Sequence, residues 1–91
     1  MTFKEKQILI DYLFVLAYRN QNGLMVQEGK KSLSQILEGA LSRLSPEERL
    51  IIENDFISKK DKLWYLDYFS RSTYYRIKKH SMTTFLNCLG L

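Results

Sequence analysis

Apolar residues recur at steps of three and four along nearly the whole chain, and that spacing predicts helices. Leu33, Ile36, Leu37, Ala40, Leu41 and Leu44 form one such stripe. Ser32 stands before it with Gln35 three residues on, the spacing of a capping box. A second start signal follows: Ser45 as N-cap, Pro46 at the first helical position and Glu48 closing the box. Glu47 and Glu48 also suit the positive end of the helix dipole. Leu50, Ile51, Ile52 and Phe56 supply that helix's buried face, and Ser58-Lys59-Lys60-Asp61 breaks the pattern.

Upstream, a helix is predicted from about Lys4 to Arg19. Ile8, Leu9, Tyr12, Leu13, Leu16 and Tyr18, with Phe14 and Val15, spread over more than one of its faces, so burial on most sides is expected. Asn20-Gln21-Asn22-Gly23 reads as its stop, and residues 24–31 as a connection of open shape. Downstream, a short helix is predicted from Lys62 to Tyr68, and a long one, capped by Ser70, to about Cys88. The expected fold class is all-α, with four to five helices in one domain over 1–91. Residues 1–43 form a scaffold or oligomerisation segment and 44–91 a C-terminal helix-turn-helix.

On a wheel of about 100° per residue from Arg71, Ile77, Cys88, Ser81, Tyr74 and Phe85 fall on one arc of the last helix, expected to face the core. Cys88 is then an inert core thiol. Arg71, Tyr75, Lys79, Ser72 and Arg76 fall on another arc, expected outside. His80 lies between the two. Met82, Leu86 and Leu89 sit on the basic side one to three turns later and need cover, from the first helix or from a second copy. Aromatic residues crowd the same region (Trp64, Tyr65, Tyr68, Phe69, Tyr74, Tyr75, Phe85). Core filling accounts for most of them, with Trp64 or Tyr65 partly exposed; base stacking is the functional alternative.

Charge sharpens this picture. The net charge is +4 over 91 residues, unevenly spread. Residues 1–57 hold seven Lys/Arg against eight Asp/Glu, whereas residues 58–91 hold seven against two. A near-neutral half joined to a basic one suggests a scaffold carrying an electrostatic contact surface. An outward face of Arg71, Ser72, Tyr75, Arg76 and Lys79 near a helix N-terminus suits the DNA major groove. Lys59, Lys60 and Lys62 precede it as candidate phosphate contacts.

Leu44-Ser45-Pro46-Glu47-Glu48-Arg49-Leu50-Ile51-Ile52, then Phe56, then Tyr68-Phe69-Ser70-Arg71-Ser72-Thr73-Tyr74-Tyr75-Arg76-Ile77-Lys78-Lys79, then Phe85-Leu86 resembles the region-four helix-turn-helix of bacterial sigma factors. It is more similar still to the small ArpU-like regulators of phages and low-GC Gram-positive bacteria. The resemblance covers residues 44–89. It implies DNA-sequence reading by Arg71, Ser72, Tyr75, Arg76 and Lys79, with Tyr74 and Ile77 in the core. Tyr68 stands where the turn of such domains usually has glycine, and nothing in residues 1–43 matches the polymerase-binding parts of a full sigma factor.

Catalytic signals are weak. One His and one Cys make no zinc site within one chain, and no glycine-rich phosphate loop exists. The chain is therefore expected to be a DNA-binding transcriptional regulator and not an enzyme, with no cofactor. Its expected partner is double-stranded DNA, with RNA polymerase and a homodimer as further candidates. An adaptor docking on RNA polymerase or another regulator is the alternative. With seven residues in its longest apolar run (Tyr12 to Tyr18) and no visible signal peptide, the chain is expected in the cytoplasm and not in a membrane.

Overall fold

The computed structural model describes residues 1–19 and 32–91, and among them every regular element is helical. The elements are α1 (Phe3–Arg19), α2 (Leu33–Leu41), α3 (Pro46–Ile52) and α4 (Arg71–Cys88). Two short turns lie between α3 and α4: a π turn at Glu53–Ile57 and a 3₁₀ turn at Trp64–Asp67. The expected stop at Asn20–Gly23 and the connection over 24–31 lie outside the described residues.

The capping signals act as their spacing predicts. Ser32 Oγ accepts from the Gln35 amide (3.3 Å) while the Gln35 side chain accepts from the Ser32 amide (3.0 Å). Ser45 and Glu48 repeat the arrangement at 3.3 and 3.0 Å. Ser70 accepts from the Thr73 amide at the head of α4. A further box opens α1, between Thr2 and Glu5. The Thr2 hydrogen bonds, backbone first and then hydroxyl, hold the Glu5 carboxyl below its ordinary pKa.

α4 is the central strut, touched by α1, α2 and α3. The main core gathers Ile10, Phe14 and Ala17 from α1, Leu37, Ala40 and Leu41 from α2, Ile52 and Phe56 after them, and Met82, Phe85 and Leu86 from α4. The Phe14 ring stacks between Phe85 (5.5 Å) and Phe56 (6.5 Å). Arg49 ties α2 to α3, bonding Glu38 at 2.5 Å and Glu53 at 2.6 Å. Met82 and Leu86 are buried and Leu89 half-buried, so α1 covers them within the chain.

Three expectations are corrected. The buried face of α4 is Tyr74, Lys78, Ser81, Met82, Phe85 and Leu86, an arc from roughly 280° through 0° to 60° on the same wheel. It is rotated toward α1, because α1 packs on the side where Met82 and Leu86 point. Cys88 accordingly is exposed and is not a core thiol. On α1 the buried residues are Ile10, Phe14 and Ala17, while Ile8 and Tyr12 face solvent. Finally, the short helix expected over Lys62–Tyr68 is a single 3₁₀ turn: Trp64 bonds Asp61 O, and Leu66 bonds Leu63 O. Seven residues cannot sustain an α-helix without a packed apolar stripe, and here only Tyr65 is fully buried. Tyr68 has φ −122°, so no glycine is needed there.

Candidate nucleic-acid interface

α4 contains no acidic residue, and Arg71, Ser72, Tyr75, Arg76 and Lys79 are all exposed on it. Tyr75 retains 45% of its surface. α1 reaches α4 at Tyr75, whose ring lies 6.5 Å from that of Phe3, and further along at Thr83, where Lys6 Nζ donates to Thr83 Oγ1 at 2.9 Å. Arg71, Ser72 and Arg76 stay open, with the Ser70 cap exposed at the head of the helix. Free amides at such an end favour an anion.

Lys59, Lys60 and Lys62 are also exposed, on the segment that joins the π turn to the 3₁₀ turn. Their placement follows from how α3 ends. The wider π turn is closed by the Ser58 amide on Glu53 O (2.8 Å) and by the Lys60 amide on Asn54 O (2.9 Å). Lys59 takes φ +49° to make that reversal, the left-handed conformation common just past a helix end. The three lysines are not equivalent: Lys59 Nζ lies 3.1 Å from Asp11 on α1, whereas Lys60 and Lys62 pair with no carboxylate among the described residues.

Beneath this surface lies a polar cluster that the sequence reading missed. Asp55, on the π turn, accepts from Trp64 Nε1 at 2.7 Å and from the Tyr74 hydroxyl, and sits 3.1 Å from Lys78 Nζ. Lys78 is buried, with its ammonium also 5.5 Å from the Phe56 ring centre and 5.6 Å from that of Tyr74. Tyr65 stacks on Tyr74 at 3.8 Å, and Trp64 meets Tyr74 edge-on at 6.0 Å. Burial first, and then the hydrogen bond to Asp55, pushes the Tyr74 phenol well above its ordinary pKa. The cluster fixes the 3₁₀ turn and the lysine segment against α4. Its sequence signal was faint: Lys78 lies four residues after Tyr74, just outside the arc that the wheel assigned to the core.

Tyr65 and Tyr74 are buried, Trp64, Phe69 and Ile77 are half-buried, and Tyr68 is 64% exposed. Core filling therefore accounts for the centre of the aromatic cluster, and Tyr68 and Tyr75 are its solvent-facing members. His80 is exposed, with Nε2 3.5 Å from Glu48 Oε2. Among the described residues, no three His, Cys, Asp or Glu side chains come together as a metal site, and no helix is long and apolar enough to cross a membrane. No family model, curated protein or solved structure matches the chain.

Proposed function

We propose that the chain is a DNA-binding transcriptional regulator that presents the first turns of α4 to the major groove. The observation that carries this reading is the acid-free, exposed face of Arg71, Ser72, Tyr75, Arg76 and Lys79, flanked by Lys60 and Lys62. Arg71 and Arg76 are suited to guanine edges, which take a bidentate guanidinium. Lys60 and Lys62 are suited to phosphates, and Lys59 contributes less because Asp11 occupies it. The resemblance of residues 44–89 to sigma region-four and ArpU-like domains points the same way, with α3, the 3₁₀ turn and α4 standing for the helix-turn-helix. Cytoplasmic action follows from such a role. Exposed Tyr12 on α1 supplies a contact for pairing with a second copy, and two-fold pairing is how such domains read two half-sites.

A gel-shift on random-sequence duplexes at two salt concentrations tests the reading. Binding that weakens steeply with salt supports it, and no binding at the lower salt removes it. In that second case the adaptor reading takes over. It is favoured by Leu63, Leu66 and Tyr68, each more than half exposed beside the basic segment.

A further inference from the structure

A cleft of about 530 Å³ runs between the first turns of α1 and the lysine segment, with α4 as its floor. Its volume lies within the roughly 300–1,000 Å³ usual for small-ligand sites. Two carboxylates line it, and both are engaged: Asp11 by Lys59, and Asp55 by Lys78, Tyr74 and Trp64. The lining's surplus charge therefore belongs to Lys60 and Lys62. Phe3, Ile8 and Tyr75 also line the cleft. Ile8 and Tyr75 keep 60% and 45% of their surface exposed, although the Tyr75 ring also meets Tyr74 at 4.9 Å and Phe3 at 6.5 Å, so an apolar and an aromatic surface remain open to a ligand.

From this pairing of two surplus ammonium groups with an aromatic lining in one cleft, we infer a binding site for a single nucleotide unit. The phosphate sits on Lys60 and Lys62, and the base packs against Tyr75 and Ile8. Lysines bind phosphate as point charges and need no fixed fork geometry. Stacking on tyrosine tolerates any base, because every base has a π face. The nucleotide is either free or part of an unpaired strand. The inference shares Lys60, Lys62 and Tyr75 with the duplex reading but is independent of Arg71 and Arg76, which do not line the cleft.

The test titrates the full chain with ADP and, separately, with a short oligo-deoxythymidylate, following backbone amide shifts by NMR. ADP should move the signals of Phe3, Ile8 and Tyr75. Replacing both Lys60 and Lys62 by Ala should weaken binding by about tenfold or more, as losing two phosphate contacts demands. Tyr75→Leu should weaken it by about 5- to 150-fold, the range set by one lost base–aromatic stack. Arg43→Ala, which removes an exposed cation outside the cleft and the α4 face, should change nothing. A response to the oligonucleotide alone places the nucleotide in a strand and supports the same site. If neither ligand moves the cleft signals, or if the double lysine variant binds both as wild type does, the inference is overturned. Duplex binding that depends on Arg76, with no response to either nucleotide ligand, would overturn this site and leave the duplex reading standing. The lysines are exposed, so their variant keeps its fold whatever becomes of Tyr75→Leu.

Discussion

Lys78 Nζ lies 3.1 Å from Asp55 Oδ2, joining α4 to the turn that ends α3. Asp55 also holds Trp64 and Tyr74, so one carboxylate fixes three elements at once. Removing it leaves an indole N–H and a phenol O–H without an acceptor, and a buried ammonium with only its 3.4 Å hydrogen bond to the Tyr74 oxygen. Asp55→Ala should therefore destabilise the fold by about 3–5 kcal/mol. Lys78→Met should cost less, about 1–2 kcal/mol, because the carboxylate keeps two hydrogen bonds and the apolar stem is replaced in kind. Urea denaturation of the two variants checks the order, and equal losses would mean the ion pair is not the centre of the cluster.

The Tyr74 phenol makes stability fall in alkali. Its pKa is raised in the folded chain, so its contribution is full below the unfolded value and is lost as pH climbs above about 10. Urea midpoints measured upward from that pH should drop for the wild type and drop less for Tyr74→Phe. Parallel curves would place the alkaline loss on another group.

Loss of the Ser45 cap can be isolated, because its hydroxyl has one structural task, accepting the Glu48 amide. Ser45→Ala should cost about 1 kcal/mol. An unchanged denaturation midpoint would mean that α3 begins elsewhere.

Position 59 should invert the usual ranking of alanine over glycine. Lys59 has φ +49°, which disfavours a Cβ. Both Lys59→Gly and Lys59→Ala remove the contact with Asp11, so their difference isolates the backbone. Glycine should come out more stable by about 0.5–1 kcal/mol. The reverse order would show that the turn relaxes away from the left-handed region.

How much of this was legible depended on whether a residue's role was local. Ser32, Ser45 and Ser70 announce their helices because a cap and its amide lie within three residues. The five exposed residues on α4 could likewise be read from its own wheel. What escaped depended on partners distant in sequence. Cys88 was assigned to the core by its angle alone, but the neighbours of α4 lie on the side of Met82 and Leu86. Ile8 and Tyr12 join Phe14 in the apolar spread expected on α1 and Ile10 does not, yet Ile10 and Phe14 are buried while Ile8 and Tyr12 are exposed, a division set by the docking of α1 on α4. Nothing in the spacing of Asp55 and Lys78 reveals that they meet.

The central claim, that α4 reads duplex DNA while the lysine segment positions it, is tested most directly by fluorescence anisotropy on a preferred duplex across a salt series. The wild type should lose log affinity against log salt with a slope of roughly −3 to −4 per subunit, from three or four neutralised phosphates. Lys60→Ala should reduce that slope by about one and weaken all sequences alike. Arg76→Ala should cost about 1–3 kcal/mol on the preferred site and much less elsewhere. Affinities that ignore both substitutions, or a wild type that binds no duplex at low salt, would contradict the account.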